Sequence, residues 1–127
     1  MNSLYKNGVI ILDFGSQYTQ LIARRVRELN IYSEIFPHTI TLDKLLECNV
    51  TSIILSGGPS SVYKDSSPNL DIDIVNSSIP ILGICYGMQL LIQNSNGLVR
   101  SKGKGEYGFS EIIPTDVPNF LFENISI

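Results

Sequence analysis

Four short apolar runs, each followed by residues at helical spacing, constrain this 127-residue chain more than any other feature. The first, residues 8–13, reads as a strand, and Phe14-Gly15-Ser16 turns the chain into a helical pattern. Tyr18, Leu21, Ile22, Val26 and Leu29 then recur at three- and four-residue steps, with Ser16 as a candidate N-cap and Asn30 near the helix end. Residues 31–36 alternate as a second strand closed by Pro37, and Thr41 opens a short helix carrying Leu42, Leu45 and Leu46. A third strand, 52–55, runs into Ser56-Gly57-Gly58-Pro59. Residues 60–69 are polar and lead to a brief helix around 71–76. The fourth strand, 79–84, passes into helical spacing with Met88, Leu91 and Ile92 on one side, until Asn96-Gly97 offers a left-handed stop. Parallel neighbours need crossover connections, which helices supply, so this alternation predicts an open, mainly parallel α/β sheet with helices on both faces. After Gly97 the alternation ceases. Gly103, Gly105 and Gly108 punctuate a hairpin-like stretch leading to residues 109–113, expected to be antiparallel near a sheet edge. The length suits one domain, residues 1–127.

The fourth strand ends in Gly83-Ile84-Cys85-Tyr86-Gly87, the spacing of a nucleophile elbow with cysteine in the serine position. A nucleophile on so sharp a strand-to-helix turn sits in strained dihedrals. Only small residues two positions either side let strand and helix approach so closely, and Gly83 and Gly87 meet that demand. The sulfur then stands at a helix N-terminus, where the dipole and the unpaired N–H groups favour negative charge. A buried cysteine between two turn-forming glycines would leave the same letters, so the neighbouring loop matters. The third strand ends in Gly57-Gly58-Pro59, and in a parallel sheet all strand C-termini share one edge, where ligands bind. The loop and Cys85 are therefore expected to meet. A glycine-rich turn presents bare N–H groups, which makes the Gly58 and Tyr86 amides the expected oxyanion donors.

Composition narrows the alternatives. At 43% apolar and 17% charged residues, the chain has the balance of a folding globular domain. The net charge is −3, and its clustered cations, Arg24, Arg25 and Arg27, fall on the first helix as a solvated face, which gives nucleic-acid binding little support. Two cysteines, Cys48 and Cys85, lack partners at metal-ligand spacing, so no metal site is expected. No run approaches the roughly 20 apolar residues of a membrane span. Asp13 interrupts the N-terminal apolar run too early for a secretory signal, and a reducing, cytoplasmic setting is expected. Gly103-x-Gly105-x-x-Gly108 spells a dinucleotide fingerprint, but it neither follows a clear strand nor opens a helix.

Three blocks carry a resemblance: residues 12–21 (Leu-Asp-Phe-Gly-Ser-Gln-Tyr-Thr-Gln-Leu), 55–60 (Leu-Ser-Gly-Gly-Pro-Ser) and 83–89 (Gly-Ile-Cys-Tyr-Gly-Met-Gln). In sequence, order and spacing they resemble the class I, triad-type glutamine amidotransferases. Asp-Phe-Gly-Ser-Gln-Tyr and Cys-Tyr-Gly-Met-Gln are similar to the branch found in GMP synthases rather than to the anthranilate, carbamoyl-phosphate or CTP synthase branches. Glu106-Tyr107-Gly108-Phe109 extends the likeness toward the C-terminus. The resemblance implies a flavodoxin-like domain in which Cys85 attacks the side-chain amide of glutamine. Gly58 and Tyr86 hold the oxyanion, ammonia leaves, and water hydrolyses the γ-glutamyl thioester. It implies further that Gly57, Gly58, Pro59 and Gln89 contact the glutamine. No cofactor is implied for this domain. ATP and magnesium would belong to a downstream ATP-pyrophosphatase domain that adenylates and aminates xanthosine monophosphate, and through which the protein could dimerise.

The chain departs from that pattern in one respect. The family's histidine and glutamate come from a His-Pro-Glu block well downstream of the elbow, whereas the only histidine here is His38, just after the second strand. His38 reads as a loop residue, and the triad is incomplete. Loss of a general base costs about 10²–10⁴-fold in rate, so this chain alone is expected to be weak or inactive. Two alternatives stay open: an amidotransferase feeding a different synthase, and a noncatalytic flavodoxin-like module that binds glutamine or a partner domain. Gln17, Tyr18 and Gln20 read as polar groups opening the first helix.

Overall fold

The computed structural model describes residues 7–58, 67–100 and 108–124. The chain runs β1 (Gly8–Asp13), α1 (Thr19–Glu28), β2 (Ser33–Pro37), α2 (Leu42–Glu47), β3 (Val50–Leu55), α3 (Ile72–Val75), β4 (Ile81–Gly83) and α4 (Tyr86–Asn94), with a short 3-10 helix at Phe120–Phe122. The four strands form one sheet in the order β2-β1-β3-β4, every pair parallel. No helix among the described residues is long and apolar enough to cross a membrane.

Alternation along the strands divides the core. Ile10 and Leu12 of β1 and Ile53 and Leu55 of β3 face one side, packing with Leu45 of α2, Ile74 of α3 and Leu90 of α4. Ile11 is also buried but stands outside that cluster, and α1 covers β1 and β2 on its side of the sheet. There Ala23 is fully buried, the Ser33 hydroxyl donates to the Ala23 carbonyl at 2.8 Å, and the Arg27 guanidinium donates to the Ser33 carbonyl at 2.9 and 3.2 Å. Arg24 and Arg25 pair with Glu28 in solvent, as a solvated face should.

Two helices turn inward a face that only partly follows the large apolar residues: Ile22 and Val26 of α1 and Leu91 of α4 are half-buried, as expected, with Leu91 against the core. On α1 the buried positions are Thr19 and Ala23, while Tyr18, Leu21 and Leu29 are exposed. On α4 they are Tyr86, Gly87 and Leu90, while Met88 and Ile92 are exposed. On α1 small residues make the closest contact with the sheet, whereas α4 buries Tyr86 and Leu90 on either side of Gly87. The first helix also starts later than Ser16: the Ser16 hydroxyl accepts from Tyr18 N–H at 3.0 Å, forming a turn before the helix begins. Asn96, at φ 63°, ends α4, with Gly97 N–H donating to the Ile92 carbonyl and Asn96 N–H to the Gln93 carbonyl, so the left-handed residue is the asparagine.

The expected antiparallel strand at 109–113 is not formed: these residues are irregular, exposed backbone, and every pairing in the sheet is parallel. Its apolar side chains, Phe109, Ile112 and Ile113, meet solvent. Gly103, Gly105 and Tyr107 lie outside the described residues.

Candidate active site

The strand order places the site. The chain steps from β1 to β2 on one side and then crosses back to add β3 on the other, so the helices that follow β1 and β3 lie on opposite faces of the sheet and leave a crevice at the C-terminal edge. Cys85 follows β4, beside β3. A pocket of about 400 Å³ opens there, lined by Gly15, Ser16, Gln17 and Tyr18 after β1, by Gly57 and Gly58 after β3, and by Cys85.

The elbow has the geometry its spacing predicted. Cys85 has φ 51° and ψ −112°, a left-handed-side conformation that L side chains rarely adopt. Its carbonyl already accepts the first bond of α4, from Gln89 N–H at 3.1 Å, and Ile84 N–H ties the turn to the Leu55 carbonyl at 3.0 Å. A Cβ on Gly83 would stand 2.7 Å from the Met88 backbone, and one on Gly87 would stand 2.5 Å from the Leu55 carbonyl oxygen. Both are too close for any side chain, which is why only glycine serves at either position. The thiol of Cys85 is exposed.

Of the two expected oxyanion donors, Gly58 lines the pocket with Cys85 and Tyr86 follows Cys85 in the chain. Gly57 lies against this cysteine: a Cβ there would be 3.3 Å from the Cys85 Cβ. At Gly58 a Cβ would collide with the Phe14 carbonyl oxygen, so the loop after β3 is pressed against the loop after β1. Tyr86 is the first residue of α4, where an amide has no acceptor within its own helix. Neither the Gly58 nor the Tyr86 amide donates to any acceptor among the described residues. The Tyr86 ring turns away into the core, tilted against Phe14 at 5.4 Å, and its hydroxyl donates to the Pro68 carbonyl. Burial pushes the Tyr86 phenol up from its ordinary value, and a hydrogen bond with Ser67 partly opposes this.

The remaining site residues divide. Pro59 lies outside the described residues. Gln89 does not line the pocket, and its buried Oε1 has no hydrogen-bond partner. His38 stacks on Phe14 with ring centroids 5.3 Å apart, and its Nδ1 meets the Asn69 carbonyl at 2.9 Å, a loop position outside the pocket lining. Gln17 and Tyr18, read from sequence as helix-opening polar groups, are pocket walls, and Gly15 and Ser16 join them there, a role that their sequence context does not suggest. Asp13 shapes that wall: its Oδ1 accepts from Gly15 N–H at 2.8 Å and from the Thr19 hydroxyl at 3.1 Å. The signal that could have found these residues was the adjacency of β1 and β3, which alternation alone does not specify. Chemically, the assembly offers an accessible thiol at a helix N-terminus, the Gly58 and Tyr86 amides with no acceptor among the described residues, and a cleft wide enough for an amino-acid side chain.

The family model for glutamine amidotransferase class-I matches residues 10–125. The chain is 51% identical over 118 residues to a glutamine-hydrolyzing GMP synthase of Natranaerobius thermophilus, covering 93% of this chain and 23% of that protein. It is 50% identical over 120 residues to the like-named protein of Fusobacterium nucleatum, covering 94% and 23%. It thus spans less than a quarter of the length of these curated relatives. Among solved structures, one named as a GMP synthase subunit from Thermoplasma acidophilum superimposes with a TM-score of 0.62 at 28% identity, over 81% of this chain and 52% of that one.

Proposed function

This chain belongs to the glutamine amidotransferase class-I family, and from that membership we propose that its pocket binds glutamine and releases ammonia through Cys85. The observation that carries the reading is the meeting of an exposed, strained Cys85 with Gly57 and Gly58 at one sheet edge. The Cys85 thiolate attacks the amide carbon of the glutamine side chain, and the carbonyl electrons move onto oxygen, where the Gly58 and Tyr86 amides receive them. Collapse of that intermediate breaks the C–N bond. The nitrogen leaves with a proton as ammonia, and a γ-glutamyl thioester remains on Cys85. Water then cleaves the thioester to glutamate and the free thiol. Gly57 and Pro59 shape the glutamine site, Gln89 is assigned a contact with the glutamine although it lies outside the lining of this pocket, and the Gly15–Tyr18 loop forms another wall of the cleft.

The first and last steps each need a proton carrier, and His38 does not line the pocket. On this reading the chain supplies the nucleophile and the oxyanion donors, no imidazole lines the pocket among the described residues, and its own turnover is weak. The names of the relatives support a destination for the ammonia, the amination of XMP to GMP. The ATP and magnesium for that step are assigned to a separate ATP-pyrophosphatase domain, in keeping with relatives of which this chain spans only 23%. That domain is the proposed partner and the route to a homodimer. A cytoplasmic setting would keep Cys85 reduced.

Iodoacetamide labelling of the two thiols, read by peptide mass spectrometry at pH 7, tests the elbow, with ammonia release from glutamine assayed alongside. Burial, together with Glu34 and Glu47, pushes the Cys48 thiol up, so Cys48 should label slowly at neutral pH and faster as the pH rises. Cys85 is expected to label at least about tenfold faster than Cys48 at pH 7, with ammonia release about 10²–10⁴-fold below that of an intact triad. Equal, sluggish labelling would remove the activated elbow. Robust turnover would overturn the account of the missing base.

A further inference from the structure

Ser56 is fully buried immediately after β3 and does not line the pocket, yet it holds both of the pocket's walls. Its hydroxyl accepts from Phe14 N–H at 3.1 Å, in the loop after β1, and donates to the Gly57 carbonyl at 3.1 Å, in the loop after β3. Its own N–H donates to the Leu12 carbonyl at 3.1 Å. The hydroxyl thus has one donor and one acceptor duty, and both are filled.

The Gly57 carbonyl matters because of what shares its plane. Gly57 C=O and Gly58 N–H belong to one peptide unit; it is trans, and in a trans peptide the two groups point in opposite directions. A hydroxyl that keeps the carbonyl on the buried side therefore turns the Gly58 N–H to the other side, where Gly58 lines the pocket with Cys85. Between two glycines no Cβ restrains this peptide, and rotation of the whole unit meets little steric resistance. Left to itself, such a peptide would spend time with its carbonyl oxygen facing the sulfur, where it would repel an oxyanion.

We propose that Ser56 is a positioning residue that locks the Gly57–Gly58 peptide in the orientation presenting the Gly58 N–H to the oxyanion, and that registers this loop against the loop after β1 through Phe14. The proposal rests on the reading of Cys85 and Gly58 given above. It makes the oxyanion hole preorganised before substrate arrives, so no reorientation cost falls on the acylation step.

The test compares two electrophiles on a Cys48→Ala background, in which Cys85 is the sole thiol. p-Nitrophenyl acetate acylates sulfur through a tetrahedral oxyanion, forming the S–C bond and expelling nitrophenolate. Iodoacetamide alkylates sulfur by direct displacement of iodide and develops no oxyanion. The ratio of the two rates, measured against the same ratio for N-acetylcysteine at the same pH, isolates the oxyanion hole from general thiol reactivity. Ser56→Ala is expected to lower the acylation rate at least about tenfold, short of the ~10²–10³ lost with a whole donor, while alkylation stays within about twofold. Ser56→Thr keeps the hydroxyl and is expected to retain the parent ratio. All variants are assayed at a temperature where far-UV circular dichroism shows them folded. A ratio unchanged by Ser56→Ala, or both rates falling together, overturns the proposal. So does a folded Ser56→Thr that loses the ratio, which keeps the test decisive where the alanine variant does not fold. A parent ratio no higher than that of N-acetylcysteine instead overturns the oxyanion-hole reading itself, and the role of Ser56 with it.

Discussion

Cys85 holds a backbone conformation that costs stability. A non-glycine residue at φ 51° and ψ −112° stores about 1–3 kcal/mol of strain, maintained because Ile84, Gly87 and Gln89 bond firmly around it. Glycine at the same position would relieve that strain but would add about 0.5–1 kcal/mol of chain entropy lost on folding. Cys85→Gly is therefore expected to raise the stability of the fold by about 0.5–2 kcal/mol, seen as a higher urea midpoint, while abolishing thiol chemistry at the elbow. An unchanged or lower midpoint would mean that the conformation is not strained. The glycines on either side were legible from spacing alone, because their role is steric and local: no side chain fits against the Met88 or Leu55 backbone.

At the level of the elements, the caps were more legible than the faces. Thr41 was expected to open α2, and it does, accepting from Lys44 N–H at 3.4 Å. Asn96 ends α4 by a left-handed turn at the expected place. The faces of α1 and α4 are only partly legible: Ile22, Val26 and Leu91 turn inward as their spacing predicts, but the centre of each buried face is held by Thr19 and Ala23 on α1 and by Tyr86, Gly87 and Leu90 on α4. One cap does double duty that spacing could not reveal. The Asp71 carboxylate accepts from Asp73 N–H at 3.1 Å in its own helix and from Leu42 N–H at 3.0 Å at the start of α2. Asp71→Ala leaves two helix N-termini short of an acceptor and is expected to cost about 1–2 kcal/mol in urea unfolding. Asp71→Asn, which keeps one acceptor oxygen, should cost less than half as much. Equal losses for the two would show that charge rather than bonding geometry is what α2 and α3 need.

Across the whole molecule, burial is lopsided. The face of the sheet under α2, α3 and α4 is closed, with Ile53, Leu55, Ile74 and Leu90 at 0–1% exposure. The other face is covered by α1 over β1 and β2, but over β3 and β4 only Phe120 and Leu121, among the described residues, approach Val9, Ile54 and Leu82, and Leu82 remains 43% exposed. Leu55→Ala is accordingly expected to cost about 2–5 kcal/mol. The chemically identical Leu82→Ala should cost less than about 1 kcal/mol, measured as the difference in unfolding free energy. Comparable losses would show that the β3–β4 face is covered in solution.

From the sequence alone came everything that acts over a few residues: the alternation demanding a parallel α/β sheet, the elbow at Gly83-Ile84-Cys85-Tyr86-Gly87, the glycine pair at 57 and 58, and the single histidine placed away from the elbow. These are legible because strand period, helix period and steric clearance are set by neighbours in the chain. Only the tertiary structure decided that β1 lies beside β3, and hence that Gly15–Tyr18 form a wall of the same cleft as Cys85. It also decided that Ser56 spans the two loops and that α1 turns Thr19 and Ala23 inward. Those outcomes depend on which strands pair and how closely helices settle on them, contacts between residues far apart in the chain that no local pattern encodes.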